Sequence, residues 1–407
     1  MTHIYLVLPK RGGQQILANV MGRDFTPGHR RRQIRETLGM WSEIPTTGEI
    51  RRWIGDQNKE RVAVLSGGPA ELPLTGTLVV RMEDEEAKRL AEELPEVSVL
   101  RDAPLDLIRP AVVGESRRDK VGTDETWHLE AAGLRAARKR GFTGTGQGVV
   151  VAVLDTGIEA EHEEIRGSVA EAYTFDVPNW RPVRSERPFD THGHGTHVAG
   201  LIVGRNTGMA PGAKLVDGMM LRNGRGNLSD FLLAMEAVVQ NIETPAQIVN
   251  MSAGLQGFLP EMAGTVAGIA AAGALPVFAV GNEGRNRTRS PGNFVDPISV
   301  GACRQDRKVA SFSGSGTIIH ENHQYTVPDL VAPGDKVYSC VRGGGYEAWS
   351  GTSMAAPIVS GVAALILEKH PLIQPADLIE ELLAKCENLG VDAVRQGRGM
   401  VNCEPLL

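Results

Sequence analysis

The groups needed for acyl transfer occur in three separate stretches of this 407-residue chain. Asp155 ends the apolar run GVVVAVLDTGI, where Gly157 permits a sharp turn. The stretch DTHGHGTHVAG, Asp190 to Gly200, supplies His192, His194 and His197. The stretch SGTSMAAPIVSG, Ser350 to Gly361, places Ser353 where a loop gives way to a helical pattern. Acyl transfer needs a nucleophile, a base to take its proton and an acid to orient the base. Each residue also has a plain structural reading. A serine at a helix start usually caps it, an aspartate after a strand usually forms a turn, and Asn282 in GNEG reads as a turn residue. No Glu or Gln stands three residues after Ser353 to complete a capping box.

The elements that must position them follow from periodicity. GVVVAVLDTGI is a continuous β-branched run, as expected of a parallel strand buried on both faces. The same pattern returns in AKLVDGMML, AQIVNMSAG and GALPVFAVGNEG, with helical stretches such as LSDFLLAMEAVVQNI between them. Strands alternating with helices predict an α/β fold with a doubly wound, mostly parallel sheet, whose functional residues belong at the carboxyl ends of the strands. A helix starting at Ser353 would aim unpaired N–H groups and a positive dipole end at a developing oxyanion. Pro357 lacks an N–H, so the Ser353 carbonyl would lose its usual helical donor.

Residues 1–108 read as a separate, small α+β domain. IYLVLP, RVAVLS, TLVVRM and EVSVLRD are strand-like, and Glu83 to Leu94 is an amphipathic helix with Ala87, Leu90, Ala91 and Leu94 on its apolar side. Residues 109–126 gather Pro, Gly and charge and are expected to be a linker with exposed chain. Residues 127–407 form the main domain. The net charge of −6 argues against a nucleic-acid binder, and the basic run HRRRQIR, His29 to Arg35, reads as a solvated face. Cys303, Cys340, Cys386 and Cys403 are dispersed without metal-ligand or scaffold spacing. The N-terminal apolar run is too short for a secretory signal, so a cytoplasmic location is expected, with secretion by another route left open; no apolar stretch reaches the length of a membrane span, and a monomer without a membrane partner is expected.

The segments VAVLDTGI, HGHGTHVAG, NMSAG, AVGNEG, VAPG and SGTSMAAP, in this order, resemble the motif set of the subtilisin-like serine proteases. The resemblance runs from about Trp127 to Cys403, and the chain order Asp, His, Ser is itself that of the subtilisin triad. It implies a serine endopeptidase in which Asp155 orients the base, His194 is the general base and Ser353 is the nucleophile. Asn282 resembles the side-chain donor of the oxyanion hole, acting with the Ser353 N–H. His192 and His197 are expected to be a surface polar residue and a packed neighbour of the base. No cofactor takes part in the implied chemistry.

Peptide or protein substrates of the family add a strand between two backbone segments. The matching segments contain Gly224 and Gly226, and Ser252, Ala253 and Gly254. A first specificity pocket walled by Ala253, Gly254 and Gly281 would have its base near Arg289. An inward guanidinium would select an acidic side chain, and an outward one an apolar side chain. The short connection HVAGLIVGRNTGMAPGA leaves no room for the calcium-wrapping insertion that extracellular members often carry, although an oxygen-ligated structural Ca²⁺ elsewhere stays open. Thr77 to Ile108 resembles the second half of a subtilisin propeptide, which implies an intramolecular chaperone and inhibitor, with a processing site between Leu107 and Asp124. Residues 25–53 match nothing in that pattern.

Two other function classes are open to the same residues. HGHGTH has the H-x-H-x-x-H spacing of metallo-β-lactamase-like hydrolases, but Thr196 stands where an acid is expected. A peptide-binding protein without catalysis would explain the groove but not the complete set of reactive groups.

Overall fold

The computed structural model describes residues 2–10, 49, 52–53, 70–72, 75–176, 181–240, 244–320 and 323–406. The strand expected in RVAVLS, the basic run His29 to Arg35 and nearly all of residues 25–53 lie outside the described residues.

The main domain is organised around a sheet of 8 strands. From one edge to the other these are Leu330–Pro333, Ile298–Cys303, Leu275–Ala279, Ile248–Met251, Val150–Asp155, Lys214–Met219, Val169–Asp176 and Arg181–Arg184. All neighbours are parallel except the last pair. Val150–Asp155 is the strand at which the winding reverses: the next strands in the chain build outward on one side, and those from Ile248 onward build on the other. Asp155 therefore ends a strand at the topological switch point, where open α/β sheets form their crevice.

Alternation along this strand divides the core. Val151 and Val153 belong to a cluster with Val198, Leu201, Val359 and Val362 of the helices His194–Val203 and Thr352–Lys369. Ala152 and Leu154 belong to a cluster with Phe231, Met235 and Val266 of Leu228–Gln240 and Ala263–Ala271. Both faces are covered, which is why the strand sequence carries no polar position before Asp155. Thr352–Lys369 is long and apolar enough to meet the bare test for a membrane span, but 89% of it is buried in this core.

The N-terminal residues form an antiparallel sheet of 4 strands in the order Ala70–Leu72, Thr77–Glu83, Thr2–Pro9, Val97–Arg101. The helix Asp84–Glu93 packs on it through Ala87 and Leu90. Ala91, expected on the buried side, is exposed, so the apolar stripe is narrower than its spacing suggests.

Two further strands follow this sheet, one of them inside the expected linker. Pro104–Leu107 is hydrogen-bonded between Arg225–Asn227 and Ala253–Gln256 in a second sheet. Val112–Arg118, within the expected linker 109–126, pairs antiparallel with Tyr346–Ser350. The latter assignment corrects the sequence reading. Polar and charged composition suggested open chain, but the β-branched Val112 and Val113 and a waiting sheet edge supply what a strand needs.

Candidate active site

Asp155 and His194 are brought together by close backbone packing. Gly157 follows Asp155 with φ +100, and a Cβ there would sit 2.1 Å from the Phe189 carbonyl oxygen. Gly195, beside His194, lies so near that turn that a Cβ would come 2.1 Å from the Gly157 oxygen and 3.3 Å from Asp155 Cβ. Larger residues would push the helix from the strand end. As a result His194 Nδ1 lies 2.8 and 2.9 Å from the two Asp155 carboxyl oxygens, with both side chains fully buried. The carboxylate fixes the ring so that Nε2 faces the groove.

A second acid ties the same two elements together, and motif reading gave it no role. Asp190 accepts hydrogen bonds from Thr156 Oγ1 (2.8 Å), the N–H groups of His192 (2.8 Å) and Gly193 (2.7 Å), and the Thr196 N–H (2.9 Å) and hydroxyl (2.7 Å). It thus serves the orphan donors at the start of the His194 helix. The sequence signal was an acid four residues before the base, in the range of a helix-start acceptor. Asp217, on the strand beside Asp155, accepts the Ile158 N–H at 3.1 Å, and its Oδ1 has no partner. Burial, then the nearby Asp190 and Asp155 carboxylates, push its carboxyl well above the usual range. An acid within the apolar run AKLVDGMML was the visible sign of it.

The other two histidines take no part in a metal cluster. His192 is exposed, and burial of its ring, then His194, shift it downward. His197 is fully buried, stacks on Trp349 at a centroid distance of 4.6 Å and reaches the Glu347 carbonyl with Nε2 at 3.1 Å. Burial lowers its pKa to about 3. Among the described residues no group of three or more His, Cys, Asp or Glu could hold a metal ion.

Ser353 lies in the first turn of Thr352–Lys369, one residue further in than expected. The N-cap is Gly351, without a side-chain capping bond, so Ser353 is not the cap. Its carbonyl, left without an intrahelical donor by Pro357, is met by the Ser252 hydroxyl at 3.5 Å. Asn282 is anchored through Oδ1, which accepts from the Thr352 N–H and hydroxyl, both at 2.9 Å. That leaves its Nδ2 to point into the groove.

The groove is filled by the chain's own residues. Leu107 N–H donates to the Gly224 carbonyl at 3.1 Å and Ile108 N–H to the Ser252 carbonyl at 3.0 Å. Leu105 pairs with Gly226, Asp106 with both Arg225 and Gly254, and Leu107 with Ala253. Leu105 and Leu107 are buried among Met220, Phe231 and Met251, while Asp106 faces solvent. Upstream, Asp102 accepts the Ser229 N–H (3.0 Å) and hydroxyl (2.7 Å) at the start of Leu228–Gln240; downstream, Ala111 N–H donates to Ser350 at 2.6 Å.

Residues 102–111 thus form a strap across the groove, and near Ser353 two neighbouring side chains hold two successive carbonyls of it. Ser353 Oγ donates to the Ile108 carbonyl at 3.0 Å, whereas Asn282 Nδ2 donates to the next carbonyl, that of Arg109, at 2.9 Å. His194 Nε2 is buried without a hydrogen-bond partner. A nucleophile and an oxyanion donor must converge on one carbonyl. Here the Ser353 hydroxyl and the Asn282 amide are divided between two.

The connection after the His194 helix is tied down by a buried acid, Glu164. Its Oε1 accepts from the N–H groups of Asn206 (2.6 Å) and Thr207 (2.9 Å) and the Thr207 hydroxyl (3.2 Å), and its Oε2 from Asn206 Nδ2 (2.9 Å) and the Tyr346 hydroxyl (2.9 Å). Glu164 thus links the loop Asn206–Thr207 to Tyr346. Glu164→Gln, which turns one acceptor into a donor facing donors, is expected to lower unfolding free energy by about 3 kcal/mol, read from the denaturant midpoint.

Comparison with known proteins bears on the fold and the family. The model of the Subtilase family matches residues 146–400. Alkaline elastase YaB of a Bacillus species is 34% identical over 303 residues, covering 72% of this chain and 74% of its own. An intracellular serine protease of Paenibacillus polymyxa is 34% identical over 273 residues, covering 63% and 79%. Among solved structures, a cold-adapted subtilisin-like serine proteinase superposes with a TM-score of 0.55 at 30% identity, covering 64% of this chain and 90% of its own. The strand-ending acid, the helix-borne imidazole and the serine of a buried helix thus stand on a subtilisin-like fold, and the chain belongs to the subtilase family of serine endopeptidases.

Proposed function

We propose that this endopeptidase cuts peptide bonds through Ser353, His194 and Asp155, and that its own residues 102–111 hold it shut. The observation that carries the first part is the buried Asp155–His194 contact, with Nε2 left free beside the Ser353 helix. In the reaction the Ser353 hydroxyl gives its proton to His194 Nε2 as Oγ bonds to the substrate carbonyl carbon. The oxygen then takes the negative charge, facing Asn282 Nδ2 and the first-turn N–H of Ser353. Protonated His194, stabilised by Asp155, returns the proton to the leaving amine. Water deprotonated by His194 then hydrolyses the acyl-enzyme.

The second part rests on the groove's occupant. The strap uses the same carbonyl and N–H partners that an added substrate strand would use, so a substrate must displace it. The one-residue offset between Ser353 and Asn282 supports an inhibitor that is not readily cut. The carbonyl in Asn282's grasp leads to Pro110, whose tertiary amide nitrogen is a crowded leaving group. Processing between Leu107 and Asp124 then requires the strap to shift so that both groups meet one carbonyl.

Labelling by a fluorophosphonate probe, present in the wild type and lost in Ser353→Ala, tests the reading. An unlabelled but folded wild type would overturn it. Asn282→Ala is expected to lower kcat by about 100- to 1000-fold with little change in KM, since the donor acts mainly on the developing oxyanion. Steady-state kinetics on one peptide series checks this.

A further inference from the structure

The residue with its N–H on Ser252 and its carbonyl on Ser353 is Ile108, and its side chain is 1% exposed. The slot flanking this position lies between the segments following two adjacent parallel strands, Ile248–Met251 and Leu275–Ala279. Gly254 lies on one segment and Gly281 on the other.

Arg289 runs between these walls. A Cβ on Gly254 would lie 3.1 Å from Arg289 Cβ, and one on Gly281 would lie 3.2 Å from Arg289 Cγ. The aliphatic stem therefore occupies the space that the two glycines leave open. At its end, Nη1 donates to the Gly254 carbonyl at 2.8 Å. Across the slot, Nε and Nη2 reach Glu283 Oε1 at 2.7 and 2.6 Å. The side chains of Arg289 and Glu283 are 18% and 17% exposed. The guanidinium takes the inward of the two orientations considered from the sequence, but its charge is already matched by Glu283.

We propose that the Arg289–Glu283 pair is the specificity determinant of the first pocket, making it shallow and neutral, so that the residue before the scissile bond is a compact aliphatic one. This rests on the protease reading above. The stem sets the depth, so a phenyl or phenol ring has no room below the glycine walls. The ion pair sets the charge. An incoming carboxylate would have to compete with Glu283 already in contact, and an incoming ammonium would meet the guanidinium. Ile108, whose N–H and carbonyl are held at Ser252 and Ser353, is of the favoured kind.

The test uses the full-length protein and fluorogenic peptides identical except for Ala, Val, Ile, Leu, Phe, Glu or Lys before the cleaved bond. Strap closure lowers every kcat/KM by the same open fraction, so ratios between peptides are unaffected. The wild type is expected to favour the aliphatic peptides over Phe, Glu and Lys by at least about 10-fold, the scale on which pocket fit discriminates. Arg289→Gly is expected to raise the Phe-to-Val ratio by at least about 10-fold. Glu283→Gln, which frees the guanidinium, is expected to raise the Glu-to-Val ratio. A wild type preferring Phe, Glu or Lys overturns the proposal without need of any variant, as does a folded Arg289→Gly protein with an unchanged Phe-to-Val ratio. A protein that labels with fluorophosphonate and cleaves with the wrong preference overturns this inference alone; one that neither labels nor cleaves overturns the protease reading together with it.

Discussion

Ser353→Ala is expected to lower peptide hydrolysis by about 10⁶-fold, a scale taken from subtilisin, where removing the nucleophile costs as much as removing the whole triad. The loss should fall on kcat rather than KM, because the groove's backbone partners at Gly224, Ser252 and Gly254 are untouched by the change. What remains should be the modest rate enhancement that oxyanion donors and substrate positioning provide alone. The side chain removed is small, and its hydroxyl donates to the Ile108 carbonyl. Melting behaviour should therefore stay close to the wild type, which separates lost chemistry from lost fold. Activity within about 100-fold of the wild type would mean that another group attacks the carbonyl.

Leu107→Ala is expected to do the opposite and raise activity. Leu107 is 2% exposed and lies in the apolar cluster with Met220 and Phe231, beneath the strap. Truncating a buried leucine costs about 2 to 5 kcal/mol. Where that cost falls on strap docking, the open fraction rises by about 30-fold or more, until most molecules are open. Both peptide turnover and the rate of fluorophosphonate labelling should rise by that factor, since each needs Ser353 freed from the Ile108 carbonyl. Far-UV circular dichroism should stay native, because the main sheet and its two covering helix layers do not include this residue. Unchanged labelling in a folded variant would show that the strap does not limit access. The same background gives the full range for the Ser353→Ala comparison, since an open groove raises the reference rate.

The features legible in the sequence were those encoded locally. A strand buried on both faces must be apolar at every position, so GVVVAVLD announced both the parallel sheet and the residue at its end. Pro357 announced a carbonyl in need of a donor, and the Ser252 hydroxyl answers it. Features set by partners far along the chain were not legible. Val112–Arg118 becomes a strand because the edge of Tyr346–Ser350 accepts it, which composition cannot signal. The side chain of Arg289 finds Glu283 and the Gly254 carbonyl only when two strand ends stand side by side. The offset of one residue between Ser353 and Asn282 has no sequence signature, since either neighbouring carbonyl is chemically the same group. Glu164 was passed over for a related reason: EEIRG looks like ordinary surface until Asn206, Thr207 and Tyr346 converge on it.

The strap is fastened on both flanks, through Asp102 to the Leu228 helix on one side and through Val112–Arg118 to Tyr346–Ser350 on the other. Severing one bond between these fastenings would produce two new chain ends that stay where they were. The amine so formed would remain beside the acyl group at an effective concentration far above that of any free peptide, and resynthesis of the bond would compete with hydrolysis. Under the proposed inhibition, nicking and unlocking would be separate events, the second governed by how fast a fastening peels rather than by the chemistry at Ser353.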